Sequence, residues 1–143
     1  MVCPARQSVA GFRRRVLLAI MTSAPPRGLP SENDEHQVLA DWLALRPRIV
    51  WTTFPAERMH VAIARKLKRI GVKRGVPDVL IFSPPPCMPR ARGVAIELKR
   101  SDGGKGPSPE QSAWLDDLDK LGWVAFVANG AAAAIAELQR LGF

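Results

Sequence analysis

Cysteine is scarce in this chain: there are two, Cys3 and Cys87, one near the N-terminus and one in a proline-rich segment. Two isolated thiols exclude a disulfide framework and the Cys/His spacings of a structural zinc site, and they point to a reducing compartment. Long apolar runs are missing too. None approaches the roughly 20 residues that a helix needs to cross a bilayer, so no membrane partner is expected. There is no internal repeat and no glycine-rich nucleotide fingerprint; the glycines at 103, 104 and 106 follow a charged segment instead. Acidic residues are the minority charge, 13 against 21 Lys and Arg, for a formal net charge of +8. With a pI near 10.5, that balance favours a polyanionic partner, without separating DNA from RNA or from an anionic membrane surface.

At 143 residues and 47% hydrophobic content, the chain is long enough for one domain with one core. Residues 1–30 differ in composition. Arg13, Arg14 and Arg15 precede a short apolar run over residues 16–21, imitating a signal peptide, and Pro25, Pro26, Gly28 and Pro30 then break any continuing structure. The run is at the low limit for a signal sequence. The segment reads as a flexible basic N-terminal arm, or as sequence upstream of a start at Met21, and the domain proper is expected over residues 31–143.

Residues 73–100, KRGVPDVLIFSPPPCMPRARGVAIELKR, are where the chemistry concentrates. Two short Val- and Ile-rich runs, residues 76–82 and 93–98, are bounded by Gly and Pro and read as an antiparallel pair of strands. Asp78 starts the first run, and Glu97 and Lys99 end the second. Side chains two apart on a strand share a face, so Glu97 and Lys99 point the same way. If the strands pair, Asp78 lies beside Glu97. Two carboxylates so placed raise each other's pKa unless a cation lies between them. A hard divalent ion such as Mg²⁺ suits one or two carboxylates, water and phosphate oxygens. It would polarise a phosphodiester and acidify a water while the Lys99 ammonium steadies developing charge. Taken singly, Asp78 would be a turn residue after Pro77, and Glu97 with Lys99 a surface ion pair.

The flanking chain alternates helix and strand. Ser31 can cap a helix whose first turn carries Glu32, Asp34 and Glu35, with Val38, Leu39, Trp42 and Leu43 as its buried stripe. Carried back a turn or two, that stripe brings Glu32, Glu35 or His36 to its edge. Residues 49–54 read as a strand. From residue 57, Met59, Ile63, Leu67 and Ile70 form a helical stripe, and Arg58, Lys73 and Arg74 are the strongest phosphate-contact candidates among the basic residues. Residues 83–92 read as a stiff hairpin tip, with Arg90 and Arg92 towards substrate. The Gly-rich loop after Arg100 is a flexible lip with Lys105 on it. Ser108 caps a further helix with Pro109 at its first position and Gln111 in its first turn. Residues 123–128 then read as a buried strand and 131–141 as a closing helix, with Trp114 and Trp123 assigned to packing.

At Gly75, Pro77 and Asp78, then Glu97, Leu98 and Lys99, then Ser108, Glu110 and Gln111, the chain resembles the VRR-NUC family of the PD-(D/E)XK nucleases. The resemblance extends over residues 32–127. It implies an α/β, restriction-endonuclease-like fold: a mixed β-sheet flanked by helices on both faces. It implies a Mg²⁺- or Mn²⁺-dependent deoxyribonuclease in which Asp78, Glu97 and the Leu98 carbonyl hold the metal. An acid from the first helix completes the site; counting back from Trp42 favours Glu32, and Glu35 stays open. Lys99 would serve the attacking water, Gln111 would support it, and Arg58, Lys73, Arg74, Arg100 and Lys105 would hold DNA. Stand-alone members of that family are small phage or prophage proteins that dimerise and cut branched DNA such as Holliday junctions. A homodimer in the cytoplasm of a bacterial or phage-infected cell is therefore expected. Two other classes use the same charge: a nucleic-acid-binding module with an inactive site, and a basic membrane-surface protein.

Overall fold

Ser31 begins the first helix as its type and position suggest. Its hydroxyl accepts the Asp34 backbone N–H at 3.2 Å, and the Asp34 carboxylate accepts the Ser31 N–H at 2.8 Å. This reciprocal cap satisfies two of the donors that a helix start leaves open. The computed structural model describes residues 30–54, 61–102 and 104–143, residues 61–64 as backbone alone. Residues 1–29 of the expected arm, with Arg58 and His60, lie outside the described residues.

The elements are α1 (Glu32–Ala44), β1 (Trp51–Thr53), α2 (Val61–Arg69), β2 (Val79–Ile81), β3 (Val94–Lys99), α3 (Pro109–Lys120), β4 (Val124–Asn129) and α4 (Ala131–Arg140). The strands form a single four-stranded sheet in the order β1-β2-β3-β4. β1 with β2 and β2 with β3 are antiparallel, and β3 with β4 is parallel. A parallel pair needs a crossover, and α3 lies within it.

Alternation along the strands sorts the side chains to two faces. Val94, Ile96 and Leu98 of β3, with Val124, Phe126 and Ala128 of β4, pack with Leu39 and Leu43 of α1 and Leu138 of α4. Ala95 faces the other way, towards Leu115 and Leu118 of α3. Helices thus cover both faces, as expected for an α/β mixed sheet. Glu97 and Lys99 share the parity of Ala95 and fall on the α3 side.

Several local expectations give way. Val38 is exposed, at 53%; α1 buries Glu35, Leu39 and Leu43 instead, a stripe turned by about 30° around the helix axis. The connection over residues 83–92 is not a projecting tip. Pro85 is buried, Met88 and Ala91 pack on the core, and the Cys87 N–H donates to the Leu141 carbonyl at 2.9 Å. Arg90 and Arg92 follow the end of β2 and precede the start of β3, so they lie at the opposite end of the sheet from Asp78 and Glu97. Cys87 is disulfide-bonded, with Cys3 outside the described residues, so the cysteines give no ground for a reducing compartment. Among the described residues no helix is long and apolar enough to cross a membrane.

Leu39 is fully buried between α1 and the sheet. Leu39→Ala is expected to lower unfolding free energy by about 2–5 kcal/mol, read by equilibrium denaturation.

Candidate active site

The register places Val79 opposite Ile96, so the next step along the hairpin brings Asp78 level with Glu97. Both are buried, Asp78 at 3% and Glu97 at 0% exposure. The turn that delivers Asp78 is fixed from outside the sheet. Gly75 has φ +77°, and a Cβ there would lie 2.7 Å from the Glu110 backbone carbon, so glycine is required both for conformation and for room. Trp114 Nε1 donates to the Arg74 carbonyl at 2.9 Å. Together these pin the turn to the start of α3.

Asp78 Oδ2 accepts the Leu98 N–H at 2.8 Å. A strand residue sends its N–H and C=O to the same edge, so the Leu98 carbonyl is aimed at the Asp78 side too; the Lys99 carbonyl goes to the opposite edge, where it accepts Gly130 N–H at 2.8 Å. Glu97 Oε1 accepts from Lys99 Nζ at 2.6 Å and from Gln111 Nε2. Gln111 Oε1 in turn accepts from Lys99 Nζ at 3.4 Å and from the Ser108 N–H at 2.7 Å. The residue that closes the helix cap therefore also binds the Lys–Glu pair. Glu97 Oε2 is buried and has no hydrogen-bond partner among the described residues. Burial pushes the Glu97 carboxyl up to about 7; the Lys99 ammonium opposes the shift and the Asp78 charge adds to it.

Glu32 reaches the cluster from α1, with Oε1 3.9 Å from Lys99 Nζ. His36, one helical turn on, has Nε2 3.6 Å from Asp78 Oδ1, and that carboxylate raises the imidazole pKa above its usual range. Glu35 does not join them. Its buried carboxylate accepts the Ala131 N–H at 2.8 Å, at the start of α4. Reading the sequence left His36 without a role; its signal was the i,i+4 spacing from Glu32, which shares one helix face.

Among the expected DNA contacts, Lys73, Arg74, Arg100 and Lys105 are exposed, and Arg100 pairs with Asp102 at 3.1 Å. Lys73 and Arg74 flank the pinned turn, and Arg100 and Lys105 follow the end of β3, so all four belong to the segments bordering the acidic cluster. Among the described residues, no three His, Cys, Asp or Glu side chains are gathered into a ready metal cage. An orphaned buried carboxylate oxygen, a second carboxylate and a backbone carbonyl on the same side are nonetheless a hard, all-oxygen donor set, and it fits Mg²⁺ or Mn²⁺.

No protein-family model and no curated protein matches the chain. Among solved structures, it is similar to one described as "VRR_NUC domain protein", at 28% identity and a TM-score of 0.64, over 79% of this chain and 88% of that one. The likeness supports the VRR-NUC family and a nuclease domain, on the α/β sheet described above.

Glu97 also sets a pH dependence. Its folded pKa, about 7, lies above the usual 4.5, so between those values the folded state binds more protons and metal-free stability falls as pH rises. In chelator, Glu97→Gln should gain thermal stability over the wild type on going from about pH 5 to about pH 8. Parallel melting profiles would mean that the carboxyl titrates normally.

Proposed function

We propose that this chain is a Mg²⁺- or Mn²⁺-dependent deoxyribonuclease of the PD-(D/E)XK type that hydrolyses phosphodiester bonds. The observation that carries the reading is Glu97: fully buried, level with Asp78, tied through Oε1 to Lys99 and Gln111, with Oε2 unpartnered among the described residues. Asp78, Glu97 and the Leu98 carbonyl would hold the cation, and Glu32 would complete the site directly or through water. A cation held there would polarise the phosphodiester and lower the pKa of a water.

The chain's own groups do the rest. Hydrolysis adds water across a P–O bond: its oxygen goes to phosphorus, and a proton ends on the departing oxygen. Lys99 Nζ is restrained by Glu97 and Gln111, which fixes where its charge lies as the non-bridging oxygens become more negative. A restrained donor needs no reorganisation at the moment of reaction. Gln111 keeps the ammonium from swinging out to solvent. Lys73, Arg74, Arg100 and Lys105 supply sequence-independent phosphate contacts around the site.

Branched DNA is the favoured substrate, cut by a homodimer in which a two-fold axis offers one site to each of two strands. Support for this is the resemblance of Gly75, Pro77, Asp78, Glu97, Lys99 and Gln111 to the VRR-NUC family, whose stand-alone members dimerise and cut branched DNA. A DNA-binding module with an inactive site would have the same charge but would leave DNA intact.

A panel of single-stranded, duplex, flap and four-way DNA incubated with Mg²⁺ or Mn²⁺ tests the reading. Cleavage should require the cation, and Asp78→Ala, Glu97→Ala and Lys99→Met should each abolish it while DNA binding persists. Retained cleavage in the two acid variants sinks the mechanism. Exchange of Lys73 or Lys105 for Ala should weaken binding on every DNA alike and lower the slope of log K against log salt by about 1 per phosphate that is no longer neutralised.

A further inference from the structure

We propose that Glu35 is a positioning residue: it clasps α1 to the start of α4, and so sets Glu32 and His36 against the Asp78, Glu97 and Lys99 cluster. The proposal rests on the nuclease reading for its link to activity, though not for the clasp itself.

A carboxylate buried to 7% exposure is costly unless hydrogen-bonded. Glu35 Oε2 meets that need by accepting the Ala131 N–H at 2.8 Å, across 96 residues of sequence. Ala131 is the first residue of α4, where the backbone N–H groups are open and the helix dipole favours a negative charge. The residue before it, Gly130, supplies no side-chain cap. The carboxylate that α4 lacks locally is thus provided by α1.

Gly130 leaves room for this. It has φ +84°, and a Cβ there would lie 3.2 Å from Glu35 Oε1 and 3.0 Å from the Ser101 Cβ. The same glycine donates its N–H to the Lys99 carbonyl at 2.8 Å. One junction, residues 130 and 131, therefore holds the backbone of Lys99 through one amide and α1 through the next. Glu32 lies three residues before Glu35 and His36 follows it. Fixing Glu35 fixes the rotation of α1 about its axis, and with it the 3.9 Å approach of Glu32 to Lys99 and the 3.6 Å approach of His36 to Asp78.

The test combines cleavage kinetics with NMR of the histidine rings, on folded full-length protein at constant pH. The chain has two histidines, so His60→Asn leaves the His36 signals alone in the spectrum. Glu35→Ala should lower kcat by about 10- to 100-fold, the range for removing a group that orients the residues of a metal site, with KM for DNA unchanged, and should move the His36 signals towards those of a free histidine. Glu35→Gln keeps an acceptor oxygen and should restore kcat to within about threefold of wild type, with the His36 signals in place. If Glu35→Ala does not fold, Glu35→Asp, which shortens the arm without emptying the space, should show the same losses. Wild-type kcat or unmoved His36 signals in the Ala or Asp variant would overturn the proposal. So would a Gln variant as impaired as Ala, since the charge itself would then be what matters. If the wild-type protein cleaves no DNA, the nuclease reading fails, and the His36 signals alone decide the clasp.

Discussion

One buried carboxylate governs the arrangement of this molecule. Glu97 stands at the end of the central strand with no exposure, beside a second carboxylate, and with one oxygen that meets no donor among the described residues. Without a cation, burial and the Asp78 charge drive its pKa to about 7 even though Lys99 opposes the shift. A chain optimised only for folding would place an apolar side chain there, as it does at Ile96 and Leu98 on the opposite face of the same strand. Retaining a destabilised group at such a position is characteristic of sites arranged to act on something else.

The surrounding fold holds that group still. β3 is flanked by strands on both edges and covered by helices on both faces, so Glu97 and Lys99 have little freedom to move. Two helix starts point into the same region. α3 brings Gln111, whose amide closes its own cap and grips the Lys–Glu pair. α1 brings Glu32 and His36, and Glu35 on the same helix accepts the Ala131 N–H at the start of α4. On the remaining side, the glycine turn before Asp78 is pressed against the first turn of α3. Each interaction is modest alone; jointly they leave the cluster one arrangement.

Much of this was legible in the sequence. Strand alternation gave the common face of Glu97 and Lys99, and the paired apolar runs gave the proximity of Asp78 to Glu97. Ser31 and Ser108 marked helix starts by residue type and spacing. Counting back from Trp42 favoured Glu32 but left Glu35 open, because residues of one turn lie near the helix stripe, and the choice among them depends on α4, 96 residues further along the chain. Val38 misled for a related reason: apolar spacing allowed two faces, and the sheet selected the one led by Leu39 and Leu43. The prolines over residues 83–92 correctly signalled the end of pairing, but their type did not show that the segment folds back on Leu141. His36 was marked only by its i,i+4 spacing from Glu32, since its partner Asp78 is reached across the fold.

The most direct measurement is the anomalous diffraction of crystals soaked in Mn²⁺. One peak is expected between the Asp78 and Glu97 carboxylates and within coordination distance of the Leu98 carbonyl, with Lys99 Nζ alongside and Glu35 still bound to Ala131. Mn²⁺ bound elsewhere, or no peak at this position at millimolar metal, would contradict the assignment of Glu97 as the centre of a cation-dependent nuclease.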